Sequence, residues 1–212
     1  MPASAVFWDR TAERYAASPI ADEAAYQTKV AATQQLLRPD MELFEFGCGT
    51  GSTALLHAPH VRHIRAVDFS ARMIEIAENK ARTAGITNVS FEQGAIETVD
   101  LKPQSLDMVL ALSVLHLLPN KSAAIAKVFA ALKPGGYFVS STACIREMVP
   151  ALGLVAPLAN RLNLSFLPYL DAMSSRQLLD AITQPGFIAE HQWQPTRKAA
   201  LFVIARKPAH LA

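Results

Sequence analysis

Three features of this 212-residue sequence point to an α/β fold. Short apolar runs alternate with segments patterned as helices, a glycine-rich turn joins the first run to a helix start, and the last two apolar runs lie close enough for a hairpin. The architecture expected is a doubly wound, seven-stranded, mostly parallel sheet with an antiparallel last strand. Helices on both faces make it a three-layer sandwich, and an apolar insertion precedes the sixth strand.

The chain opens with a polar-aromatic segment, Phe7-Trp8-Asp9-Arg10 to Tyr15. A helix is expected from about Asp22 to Leu37, ended by Arg38-Pro39-Asp40. Tyr26 and Lys29 share one of its faces, an arrangement that a snorkelling lysine beside a half-buried tyrosine explains. Met41 to Phe46 is the first strand, and it runs into Glu45-Phe46-Gly47-Cys48-Gly49-Thr50-Gly51 before a helix starts at Ser52. Glycine is needed in such a turn because a Cβ blocks close approach and because the backbone often requires φ > 0. The helix start beyond it offers unpaired N–H groups to polar or anionic ligands. A phosphate-binding P-loop fails for want of a lysine after Gly51. The dinucleotide fingerprint fails because Ser52 stands where its third glycine belongs.

Val61 to Asp68 reads as a buried strand with Asp68 at its C-terminal edge, 17 residues beyond Gly51. An acid at that distance accepts hydrogen bonds from ribose hydroxyls; capping of the helix from Ser70 is the alternative. That helix runs to Ala84, with Met73, Ile76, Ala77 and Ala81 on one face and Gly85 as its stop. Val89 to Gly94 is the third strand and Leu106 to Leu112 the fourth, followed by Ser113-Val114-Leu115-His116-Leu117-Leu118-Pro119. A helix from about Ser122 to Leu132 stops at Lys133-Pro134-Gly135-Gly136, a turn ahead of the fifth strand, Tyr137 to Thr142. Ile145 to Tyr169 is apolar nearly all round and broken by Pro150, Pro157 and Pro168, so one amphipathic surface helix is not expected there. A helix at Ser175 to Thr183 precedes two strands, Gly186 to Trp193 and Ala199 to Lys207.

In order, these motifs resemble those of class I S-adenosylmethionine-dependent methyltransferases of the small-molecule type. Glu45 to Gly51 is similar to the family's first motif, and Asp68-Phe69-Ser70-x-x-Met73 to its second. The aspartate-led fourth strand with its leucine-histidine turn, and Leu-Lys-Pro-Gly-Gly before the fifth strand, complete the likeness, which covers about Leu36 to Lys207. The resemblance implies binding of S-adenosylmethionine, with S-adenosylhomocysteine as product. It implies that Glu45 holds the cofactor's ammonium directly or through water, with Gly47, Cys48, Gly49 and Gly51 around its amino-acid portion. Tyr26, on a covering helix, would lie near the charged end, and Leu112 would lend a carbonyl to the ammonium. Asp68 would take the ribose hydroxyls, while Phe69 and Met73 lie toward the adenine. A core role explains Met73 equally well. Members often carry an acid after the third strand to bind the adenine amino group. Ala95 and Ile96 stand there instead, leaving their backbone groups, or Glu97, to do so. His116 is a candidate general base or substrate contact, or a structural histidine.

One domain is expected over 1–212: an N-terminal cover over 1–38, a core over 39–143 and 174–208, and a candidate substrate cap over 144–173. A core helix or a dimer contact is the other reading of that last segment. As a cap, its composition would suit a lipophilic or aromatic acceptor, since Arg146 and Arg161 are few cations for carboxylate or phosphate recognition. The expected function is direct in-line methyl transfer to such a small molecule. A nicotinamide-dependent oxidoreductase and a non-catalytic adapter of the same fold are the rivals. The formal charge of +2 is too small to argue for nucleic acid or an anionic membrane surface as partner, and no nucleic acid is expected. No run is long enough for stable membrane insertion. Cys48 and Cys144 have no metal or redox spacing, and the opening residues lack a signal-peptide pattern, so a cytoplasmic enzyme without a metal is expected. An oligomer is possible but not indicated.

Overall fold

The computed structural model describes residues 3–152, 156 and 169–209. The chain divides into two compact units, Met1–Val99 and Asp100–Ala212. Strand order across the seven-stranded sheet is β3-β2-β1-β4-β5-β7-β6.

The first unit holds α1 (Ala3–Ala17), α2 (Glu23–Gln34), β1 (Glu42–Phe46), α3 (Ser52–His57), β2 (His63–Asp68), α4 (Ala71–Ala84) and β3 (Val89–Gln93). β1 pairs parallel to β2, and β2 parallel to β3. The starts of α2 and α4 are explained locally. The Asp22 side chain accepts from the Ala25 amide at α2, and the Ser70 hydroxyl accepts from the Met73 amide at α4. Gly85, left-handed at φ 67°, ends α4 as expected. The polar-aromatic opening segment lies within helix α1. Ala5 and Ala12 are buried on one side of it, and Trp8 and Tyr15, seven residues apart, meet edge to face at 6.1 Å.

The second unit holds β4 (Leu106–Leu112), α5 (Lys121–Ala131), β5 (Leu132–Thr142), α6 (Ile145–Met148), α7 (Ser175–Thr183), β6 (Ile188–Trp193) and β7 (Leu201–Arg206). β4 and β5 are parallel; β7 runs antiparallel to both β5 and β6, so the last strand is inserted and the sixth forms the edge. The turn expected at 133–136 lies inside β5. Pairing jumps from Leu106↔Leu132 to Met108↔Tyr137, so those residues bulge out of the ladder. Lys133 anchors the bulge, its ammonium donating to both carboxylate oxygens of Asp107 at 2.8 Å. Gly136 packs closely there: a Cβ would stand 3.0 Å from the Asp107 carbonyl oxygen. Lys207, nearly fully buried, donates at 2.7 Å to the carbonyls of Phe129 and Leu132 and so satisfies the end of α5.

Phe44, Phe46, Phe138 and Phe202 are the largest fully buried side chains. Of the cap expected over 144–173, residues 153–155 and 157–168 lie outside those described. Its first turn, α6, is held by the Glu147 carboxylate, which accepts from the amide and hydroxyl of Ser175, and by the Arg146 amide donating to the Met173 carbonyl. No helix among the described residues is long and apolar enough to cross a membrane.

Candidate cofactor site

The end of β1 places Glu45 on the face opposite Phe44 and Phe46, whose rings stack at 6.2 Å. Glu45 is 2% exposed, and its Oε2 is buried without a hydrogen-bond partner. Burial foremost, and then the Asp68 carboxylate, push its pKa up to about 8. A buried carboxyl with an orphan oxygen, beside a second acid, is costly unless something cationic completes it.

The chain then turns through Gly47, Gly49 and Gly51, all left-handed at φ 64°, 53° and 73°. The Cys48 amide donates to the Val67 carbonyl, which holds the turn against β2. The Cys48 thiol is pushed well above its ordinary pKa by burial and then by Glu45 and Asp68, which makes it a poor nucleophile. Gly51 serves packing: a Cβ on it would lie 2.7 Å from the Phe91 ring and 2.8 Å from the Ala77 Cβ. Lys80 of α4 reaches over to donate to the hydroxyls of Thr50 and Ser52 at 2.8 and 3.0 Å.

Asp68, 7% exposed at the edge of β2, accepts from the Gly49 amide through Oδ2 and from the Ser70 amide through Oδ1, both at 2.9 Å. It therefore ties the glycine turn to the start of α4, while the Ser70 side chain is the true cap. Burial raises its pKa, against the two amide bonds, which lower it, with Asp9 adding to the rise. Each carboxylate oxygen keeps a second lone pair for a ligand hydroxyl.

Two tyrosines lie near Glu45. The Tyr26 hydroxyl lies 3.1 Å from Thr53 Oγ1, and its pKa is raised by burial, with Glu45 contributing. The ring of Tyr15 packs over the turn, with Cε1 3.8 Å from where a Gly49 Cβ would stand. Half the Tyr15 side chain is exposed, yet its hydroxyl is shifted upward by burial, Asp68 and Glu45. Lys29 has its pKa lowered by burial. Met73 is 2% exposed and belongs to the core, whereas Phe69 is half-buried, its carbonyl accepting from the Gln93 side chain at 3.1 Å. The Ala95 carbonyl is committed to a turn, accepting from the amides of Thr98 and Val99, and Ile96 is buried. Asp9 and Tyr15 escaped the sequence reading as site residues. The spacing of Trp8, Ala12 and Tyr15 held the signal for α1, but the contact of Asp9 with Ser70, 61 residues away, leaves no local trace.

In the second unit, Leu112 ends β4 opposite Ser141, and Ser113 adopts φ 58°, an uncommon conformation for a non-glycine residue. The following 3₁₀ turn, Leu115–Leu117, carries His116, whose Nδ1 is buried without a partner. Burial lowers its pKa to about 4 against an opposing pull from Asp171, so the ring is neutral at physiological pH. Its carbonyl accepts from the Asp171 amide at 2.7 Å, and the Asp171 carboxylate pairs with Lys121.

A glycine turn flanked by a strand-end glutamate and a second strand-end aspartate is the arrangement of a nucleoside-binding α/β domain, and comparison narrows it. Residues 37–183 match the family model described as a methyltransferase domain. The uncharacterized methyltransferase YcgJ of Bacillus subtilis is 30% identical over 102 residues, 48% of this chain and 40% of that protein. The demethylmenaquinone methyltransferase of Leptospira interrogans is 35% identical over 104 residues, 47% of this chain and 42% of that protein. The crystal structure of an S-adenosylmethionine-dependent methyltransferase from Mesorhizobium loti superposes with a TM-score of 0.70 at 23% identity, covering 88% of this chain and 99% of that one. The matched stretch is thus less than half the length of either curated relative. The chain belongs to the class I S-adenosylmethionine-dependent methyltransferase family.

Proposed function

We propose that this protein transfers the methyl group of S-adenosylmethionine to a small lipophilic or aromatic acceptor by direct in-line displacement. The carrying observation is Glu45, a buried carboxyl with an orphan oxygen at the mouth of a glycine turn. An α-ammonium supplies the missing partner, and the charge-assisted bond returns Glu45 to its ionised form. Asp68 would take the ribose hydroxyls on its spare lone pairs, and the Tyr15 and Tyr26 hydroxyls would border the amino-acid end.

When bound, the cofactor supplies a sulfonium methyl that is already electrophilic, so the protein's task is placement. Holding an acceptor in line contributes about 7–11 kcal/mol when the geometry is right. Exclusion of water protects the reaction from hydrolysis. His116 is proposed to contact the acceptor. With a pKa near 4 it is a weak base, so its neutral ring better suits accepting a hydrogen bond than removing a firmly held proton. The lipophilic nature of the acceptor rests on the apolar composition of 145–169 and agrees with the quinone-type substrate named for the Leptospira relative.

Titration calorimetry with S-adenosylhomocysteine, followed by mass-spectrometric assay of methyl transfer to phenols, quinols and other small acceptors, tests this reading. Asp68→Ala is expected to weaken cofactor binding at least about tenfold, the scale of losing a hydrogen bond to a charged group. Unaltered affinity in a folded Asp68→Ala variant would remove Asp68 from the site. Tight binding with no methyl transfer to any acceptor would favour a non-catalytic adapter.

A further inference from the structure

Helix α1 is joined to the candidate ribose site by a short chain of polar contacts centred on the buried Ser70. Asp9 Oδ1 accepts from the Ser70 hydroxyl at 2.6 Å and from the Arg72 amide at 3.2 Å. Ser70 is fully buried; its amide donates to Asp68 Oδ1, and Asp68 Oδ2 accepts from the Gly49 amide. Asp9, Ser70, Asp68 and the glycine turn therefore form one continuous hydrogen-bonded series. Six residues after Asp9, Tyr15 lays its ring over Gly49. A second link, Glu13 to the Arg72 guanidinium, lies on the exposed side of α1 and meets this series only through the Arg72 backbone.

We propose that Asp9 is a positioning residue for the cofactor site, latching α1 through the Ser70 hydroxyl to the Asp68 carboxylate so that docking of the N-terminal helix and closure on the nucleoside are one event. The inference rests on the cofactor reading given above. Its physical basis is that buried hydrogen-bonded groups act as a unit: freeing Asp9 leaves a buried hydroxyl without its acceptor and loosens the group that orients Asp68. The same break lets α1, and Tyr15 with it, leave the turn. Cofactor release then requires undocking α1, so loss of the latch is read in the dissociation rate.

The test is stopped-flow and calorimetric measurement of S-adenosylhomocysteine binding to the full chain, with hydrogen exchange of the α1 amides. Asp9→Ala is expected to raise the dissociation rate about tenfold or more, on the scale of a buried charge-assisted hydrogen bond. Asp9→Asn, whose side-chain oxygen still accepts both bonds, is expected to stay within about threefold of wild type, a rescue that tracks the acceptor atom. Glu13→Gln, which breaks the exposed pair alone, is expected to change the rate less than about twofold. Ligand is expected to protect the α1 amides in the wild type and to leave them unprotected in Asp9→Ala. Asp9→Ala and Asp68→Asn are expected to be non-additive in affinity. A folded Asp9→Ala variant with wild-type dissociation and ligand-protected α1 amides would overturn the latch while leaving the cofactor reading intact. A wild-type chain that binds no S-adenosylhomocysteine would overturn both.

Discussion

Glu45 pairs an ordinary requirement with an awkward position. A carboxyl buried at a strand end beside Asp68 is held near neutrality in its protonated form, at a pKa of about 8. An incoming ammonium reverses that preference, so binding near pH 7 should release close to one proton. Affinity for S-adenosylhomocysteine is expected to climb by nearly tenfold per pH unit toward 8. It should level off above that value, and turn down where the ligand α-amine loses its charge. Calorimetry in two buffers of different ionisation enthalpy counts the proton, and Glu45→Gln should abolish both the proton release and the rising limb. Proton release that persists undiminished in Glu45→Gln would assign the linkage elsewhere. Glu45 was readable in the sequence as the lead residue of a motif, but its orphan oxygen was not, because burial is a property of the packed strand.

Among the elements, the link from β1 through the glycine turn to α3 depends most on a single atom's absence. Gly51 has φ +73° and no room for a methyl group against Phe91 and Ala77. Gly51→Ala is expected to cost about 2–4 kcal/mol from backbone strain plus overpacking and to lower Tm by several degrees in thermal unfolding. A Tm within one degree of wild type would mean that Phe91 and α4 yield more easily than the packing implies. The turn's need for glycine was evident from the sequence. Which neighbours enforce it was not, since Phe91 and Ala77 approach from other elements. α1 shows the converse. Its helical face of Trp8, Ala12 and Tyr15 was present in the sequence, but the hydrophobic run is short, and only its seat on α4 through Asp9 and Glu13 gives the face a purpose.

For the molecule as a whole, opposed ionisations set the pH range of stability. Burial lowers the pKa of His57 and His116 to about 4, below the ordinary 6.5, so the unfolded chain binds more protons between those values. Their contribution is therefore lost as pH falls from 6.5 through 4. Glu45 works the other way: its folded value of about 8 exceeds the ordinary 4.5, so stability is lost as pH rises between them. Each unbalanced proton changes stability by about 1.4 kcal/mol per pH unit. Two histidines outweigh one carboxyl below 6.5, and of the three only the carboxyl titrates above it. The ligand-free protein is expected to show its highest Tm near pH 6.5, with a decline toward 8 that Glu45→Gln flattens. A wild-type Tm that keeps rising from pH 6.5 to 8 would contradict the buried, protonated Glu45.

The succession of strands and helices, the antiparallel ending and the cofactor motifs follow from local patterns: apolar period, caps and glycine turns act over a few residues and can be read along a chain. The bulge within β5, the capping of α5 by Lys207 and the partnership of Asp9 with Ser70 arise only once distant segments share a core. Their energies come from desolvation and from hydrogen bonds between residues dozens of positions apart, and no local pattern encodes those.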